Sequence, residues 1–291
     1  MKAYMTEETA FRMGQEMHRF IADLYPICRS ITGNGVRETL HLIGKHISVE
    51  IHEVPSGTKV FDWIVPKEWN IQDAYIKDAR GERVVDFQKS NLHVVSYSQP
   101  IQAIMTLEEL QPHLHSLPGD PERIPYRTSY YKESWGFCLS HQQLMGLKDK
   151  EYEVCIDSTV ADGHLTYGEC YIRGKSEEEI LISCHICHPS LCNDNLSGIA
   201  LATFLAKTLS SKSLRYSYRF IFIPGTIGSI TWLALHQEQV SKIKAGMVVT
   251  GVGDSGAVTY KKSRQGIAEI DRAFSHILKT SGAAHTIIDF F

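Results

Sequence analysis

Downstream of about residue 170 the sequence alternates short apolar runs with helical repeats, an order that few folds accept. EEILISCH (178–185), YRFIFIPG (218–225), AGMVVTG (245–251) and HTIIDFF (285–291) are β-branched or aromatic runs of strand length. Between them, LSGIALATFLAKTLS, GSITWLALHQEQVSKI and GIAEIDRAFSHILKTSG repeat apolar residues at three- and four-residue intervals, the last closed by Gly282. Strands and helices in this order imply crossover connections and the α/β class: a mainly parallel sheet with helices on both faces.

The middle of the chain breaks that pattern. HISVEIHEVP, FDWIVPKEWNIQDAYIKDA and NLHVVSYS are short alternating segments cut by Pro and Gly, and TLEELQPHLHSL is the one helical stretch among them. We therefore expect an α/β domain at 1–46 and 136–291, with a mostly β subdomain inserted at 47–135. EYEVCIDSTVADGHLTYGECYIRG (151–174) reads as a β-hairpin leading back into the main sheet. At the N-terminus, Phe11, Met17, Phe20, Ile21 and Leu24 follow a candidate cap at Thr6 with the spacing of an amphipathic helix.

Composition excludes several classes of function. With 291 residues, 43% of them hydrophobic, and a net charge of −3, the chain has globular content and no basic stripe for nucleic acid. No apolar run approaches the roughly 20 residues that cross a membrane, and the charged N-terminus is unlike an export signal. The expected compartment is the cytoplasm, where the seven cysteines stay reduced. Small molecules and protein surfaces are the expected partners, and a homo-oligomer is compatible with the sequence.

The densest chemistry lies in CHICHPSLCNDNLSG, residues 184–198. Cys184, Cys187 and His188 spell C-x-x-C-H, which admits a c-type haem, a redox dithiol or a thiolate zinc site completed by Cys192. Haem and redox roles lack their usual context here, and a second C-x-x-C is absent. Position favours another set of ligands. His185 closes a strand and Asp194 precedes the next helix, so an imidazole and a carboxylate converge on the sheet edge where α/β proteins bind ligands. The plainer alternative makes NDNLSG a turn and helix cap, with Asp194 or Asn195 accepting backbone N–H bonds.

The strand ending in His and the Asp-Asn-x-Ser-Gly turn, within ILISCHICHPSLCNDNLSGIALATFLA, resemble the zinc aminopeptidase family of co-catalytic di-zinc exopeptidases. With LYPICRSITGNGVRETL, FDWIVPKEWNI, PYRTSYY and TIGSI, nearly the whole chain is similar to bacterial aminopeptidase-like proteins found with polysaccharide biosynthesis genes. Those proteins carry an inserted β subdomain and a C-terminal winged helix. The resemblance implies one or two zinc ions, weakly held, on His185, Asp194 and Asp254, with His188 in reserve. It also implies metal-assisted attack of water on a peptide or amide bond of a small peptide, aminoacyl or glycoconjugate substrate. Cys187 stands where the family has an aspartate. Two departures count against catalysis. Gly225 stands where the family has a glutamate, the candidate general base or ligand. The last His ligand and the winged helix would follow Phe291, so the chain reads as C-terminally truncated. We therefore assign no catalytic residue and expect a degenerate or inactive hydrolase, the alternative being a non-catalytic peptide- or glycoconjugate-binding protein.

Overall fold

The computed structural model describes residues 6–291. The first helix, Glu7–Leu24, starts at Thr6, whose hydroxyl accepts from Thr9 N at 3.2 Å. Phe20 and Leu24 are buried, and the Phe20 and Phe204 rings lie 6.3 Å apart. Phe11 does not share that face, being 68% exposed one turn inside the helix start.

The fold is α/β, built on a five-stranded sheet in the order Glu50–Pro55, His164–Ile172, Ser217–Ile223, Glu179–His185, Ile243–Val248. Glu179–His185 runs parallel to both its neighbours, whereas the other two pairings are antiparallel. The sheet is thus mixed where the sequence pattern suggested a mainly parallel one. Helix Gly198–Ser210 connects Glu179–His185 to Ser217–Ile223, and helix Ile227–Leu235 follows the latter strand. His164–Ile172 and Glu50–Pro55 enter without a helical crossover, which antiparallel pairing does not need. Side chains alternate between the two faces as a pleat requires. Phe220 and Phe222 pack with Phe20, Leu40 and Phe204, while Ile221 and Ile223 pack with Tyr167, Ile227 and Trp232. A buried ion cluster stitches the strands together: Arg219 pairs with Glu169 and with Glu179 (2.7 Å), and Trp232 Nε1 donates to Glu169 at 2.6 Å.

A second, antiparallel sheet has the order Arg83–Asp86, Glu68–Lys77, Glu151–Ala161, Ile101–Thr106. The sheets divide the chain differently from limits at 47 and 135: Glu50–Pro55 belongs to the first sheet, and Glu151–Ala161 is a central strand of the second. The segment 151–174 is accordingly no hairpin, since its two strands lie in different sheets. Glu68 fixes the corner between them, accepting from His164 N at 3.0 Å while Arg37 clamps both its carboxylate oxygens at 2.8 and 2.7 Å. The final strand, His285–Ile288, pairs in parallel with Val258–Lys261 in a separate two-stranded sheet and does not extend the main one. Gly282, with φ of +74°, ends the helix before it. No helix among the described residues is long and apolar enough to cross a membrane.

Candidate metal centre

Three parallel strands, Glu179–His185 and its two neighbours, bring their carboxyl ends to one edge of the sheet. His185 is the last residue of the central strand. The chain then loops through His188 and returns at Cys192–Ser197, an irregular turn in which Asp194 (φ −115°, ψ 86°) and Asn195 (φ −142°, ψ 36°) leave helical geometry.

The turn sorts its side chains alternately. Asn193, Asn195 and Ser197 grip the loop after strand Ile243–Val248. Asn193 Oδ1 accepts from Gly253 N (2.8 Å), Asn195 Oδ1 from Gly251 N (3.3 Å) and Ser197 Oγ from Val252 N (3.1 Å). Asn195 Nδ2 donates to Val249 O at 3.1 Å and to His185 O at 3.2 Å. Gly198 makes room for this amide, because a Cβ there would stand 2.3 Å from Asn195 Oδ1. Asp194 is left half-exposed on the other side, with Oδ1 2.7 Å from His185 Nε2 and Oδ2 3.9 Å from His188 Nε2. One ligand atom from each of His185, His188 and Asp194 lies within 4.8 Å of the others, the one such group of three His, Cys, Asp or Glu side chains among the described residues.

His188 is braced from three sides. Its carbonyl accepts from Arg29 Nε at 2.8 Å, its Nδ1 lies 3.3 Å from Cys187 Sγ, and the Tyr126 ring stands 5.1 Å from its own. Arg29 is fully buried and has no carboxylate partner among the described residues, and burial pulls its guanidinium down to about 10. Burial likewise pushes the His188 imidazole below its ordinary value, with His185 adding to the shift, and raises the Cys187 thiol to about 11. Burial thus favours the thiol over the thiolate at Cys187.

The two histidines and Asp194 open on a cavity of about 400 Å³. Ile223 and Val248 supply apolar wall, Ser183, Thr226, Ser229 and Thr250 supply hydroxyls, and Gly225 lies among them. A Cβ on Gly225 would make ordinary contacts, 3.5 Å from Cys187 Sγ and 3.9 Å from His185 Cβ.

The expected pair, His185 and Asp194, therefore meets, and His188 completes the group. Asp254 stays outside it, taking Asn193 Nδ2 at 2.8 Å and Gly256 N at 2.7 Å, which makes it a lock on its own loop. No cysteine joins the group: Cys184 and Cys187 are buried and Cys192 is exposed. Sequence reasoning missed the clamp of Asn193, Asn195 and Ser197, although their two-residue spacing around Asp194 was a readable signal. It also missed Arg29 and Tyr126, which reach His188 across long sequence separations and leave no local pattern.

The donor set suits zinc: two imidazoles and one carboxylate leave a fourth position open.

Residues 18–291 match the protein family described as "Domain of unknown function (DUF4910)". A protein of Clostridium acetobutylicum named "putative polysaccharide biosynthesis protein with aminopeptidase-like domain" is 58% identical over 278 residues, which is 96% of this chain and 64% of the relative. The chain thus spans 64% of the length of that relative. The crystal structure of a "putative peptidase" from Clostridium acetobutylicum matches with a TM-score of 0.96 at 56% identity, covering 98% of this chain and 67% of the other. A zinc aminopeptidase from Bacillus subtilis matches with a TM-score of 0.62 at 12% identity, over 94% of this chain and 83% of that one, a likeness of fold.

Proposed function

The chain belongs to the family described as a domain of unknown function, DUF4910, in a zinc aminopeptidase fold, and on that premise we propose that it is a zinc-binding, aminopeptidase-like hydrolase with a weakened catalytic site. The observation that carries this reading is the convergence of His185, His188 and Asp194 within 4.8 Å at the carboxyl edge of the sheet, beside a cavity of about 400 Å³. When bound, zinc would polarise a carbonyl and activate water. His185 and His188 would hold it through Nε2 and Asp194 through its carboxylate. The apolar and hydroxyl walls would seat the substrate, for which we propose a small peptide or an aminoacyl or sugar-linked amide.

Proton transfer is where the site is weak. Asp194 supplies the one carboxylate among the residues lining the cavity, and in this reading it is committed to the metal. Gly225 offers no group to take a proton from water. The second sheet we take as an inserted subdomain, and the connection between its strands Ile101–Thr106 and Glu151–Ala161 carries Tyr126, whose ring stands 5.1 Å from that of His188. Gly225 also favours a second reading, in which the cavity binds a peptide or glycoconjugate without cleaving it.

Hydrolysis of aminoacyl-nitroanilides and simple N-acyl amides, with added zinc and with chelator, tests the proposal. The expected result is zinc-dependent turnover far below the 1 to 10³ per second common among enzymes. Turnover in that range that a chelator leaves untouched would overturn it, and zinc binding with no turnover on any amide would favour the binding protein.

A further inference from the structure

We propose that Cys187 is the positioning residue of His188: its sulfur accepts the Nδ1–H of the ring and leaves Nε2 as a free lone pair toward the cavity. This rests on the metal-site reading for its purpose, but it makes a statement about the metal-free protein.

Two contacts converge on the buried sulfur, Gly225 N at 3.2 Å and His188 Nδ1 at 3.3 Å. A backbone amide can only donate, so Sγ already acts as an acceptor in the first. In the second, the tautomer of the ring sets which atom donates, and the assignment we make is Nδ1–H to Sγ. The opposite end of the ring agrees. His188 Nε2 has Asp194 Oδ2 at 3.9 Å, beyond hydrogen-bond reach, and the nearer oxygen of that carboxylate is engaged by His185 at 2.7 Å. A proton on Nε2 would therefore have no protein acceptor among the described residues, whereas a proton on Nδ1 has one.

His185 is the internal contrast. Its Nε2 lies 2.7 Å from a carboxylate oxygen, and its Nδ1 faces the Asn195 amide nitrogen at 3.4 Å. The Asn195 amide cannot turn round, because Val249 O and Gly251 N fix its two ends. In the metal-free protein a neutral His185 thus carries its proton on Nε2, a proton that zinc would displace, and a neutral His188 carries its own on Nδ1. The thiol does for His188 what a carboxylate or carbonyl commonly does for a metal-binding histidine.

The test is a histidine ¹⁵N long-range correlation spectrum of the chelator-treated protein at about pH 8, where imidazoles are neutral. It compares wild type, Cys187→Ser and Cys187→Ala, with His188→Gln assigning the His188 signals. The expected result is the Nδ1–H form of His188 in wild type and in Cys187→Ser, whose hydroxyl also accepts, and a shift toward Nε2–H in Cys187→Ala. In the same three proteins zinc affinity, read by competition with a chromophoric chelator, should fall about 10- to 100-fold in Cys187→Ala and recover in Cys187→Ser. An Nε2–H form of His188 in wild type, or an unchanged form in a folded Cys187→Ala, overturns the inference. The expected tautomers in a protein that takes up no zinc would sink the metal reading and leave this one standing. Should Cys187→Ala fail to fold, wild type and Cys187→Ser still decide the tautomer.

Discussion

Asn195 should be among the costliest single positions in the chain to change, and replacing it by aspartate should cost more than removing it. The side chain is 3% exposed and bridges three backbone groups: Gly251 N donates to its oxygen at 3.3 Å, and its nitrogen donates to Val249 O at 3.1 Å and His185 O at 3.2 Å. Alanine forfeits three hydrogen bonds at a net of about 1 kcal/mol each, so about 3 kcal/mol is expected, more if the stranded backbone groups find no water. Aspartate keeps the acceptor for Gly251 N but turns a carboxylate oxygen toward two carbonyls. The site is buried, so the side chain has no solvent to swing into. Urea unfolding followed by the fluorescence of the four tryptophans and by circular dichroism measures both variants, with an unchanged m-value showing that stability and not the denatured state has moved. An aspartate variant as stable as wild type, or an alanine variant losing under about 1 kcal/mol, would refute the clamp.

Arg219 sits between Glu169 and Glu179, both nearly buried, so Arg219→Met should strand two carboxylates and destabilise by about 3 to 5 kcal/mol in chemical unfolding, and adding Glu169→Gln and Glu179→Gln should restore part of the loss. The Arg37 guanidinium, aided by His164 N and Asn70, lowers the Glu68 carboxyl from 4.5 to about 2. Its stabilising contribution is present above 4.5 and is lost as pH falls from there toward 2, so Glu68→Gln should flatten that limb of the stability–pH curve measured by thermal melts. Gly225→Glu should fold normally, with a thermal midpoint within about 4 °C of wild type, since its Cβ meets only ordinary contacts. If the absent base limits turnover, the same variant should hydrolyse amides faster, by up to about 10²-fold, in the zinc-supplemented assay.

What the sequence disclosed follows from what is local. The helix after Thr6, the three parallel strands and the Gly282 stop are each written in a few neighbouring residues, as is the meeting of His185 with Asp194 across a short loop. What it concealed depends on partners far along the chain. Nothing in EYEVCIDSTV and GHLTYGECYI says that they pair in different sheets; their partners lie far along the chain, as does Glu68, which meets His164 N from 96 residues away. The alternation in HTIIDFF is true of a strand, but not of which strand it joins. Asp254 has the residue type of a ligand, yet its carboxylate goes to Asn193 Nδ2 and Gly256 N, because the turn that presents Asp194 must also hold the Asp254 loop. His188 could be only a reserve from sequence, since Arg29 reaches its carbonyl from 159 residues away.

The central claim is that His185, His188 and Asp194 hold zinc and the cysteines do not. Elemental analysis of protein purified without chelator, in wild type and in His185→Ala, His188→Ala, Asp194→Ala, Asp254→Ala and the double variant Cys184→Ser, Cys192→Ser, tests it most directly. The account predicts zinc in wild type, its loss from each of the first three variants, and its retention in Asp254→Ala and in the double cysteine variant. Zinc retained in His188→Ala, or lost only when the cysteines are removed, would contradict it.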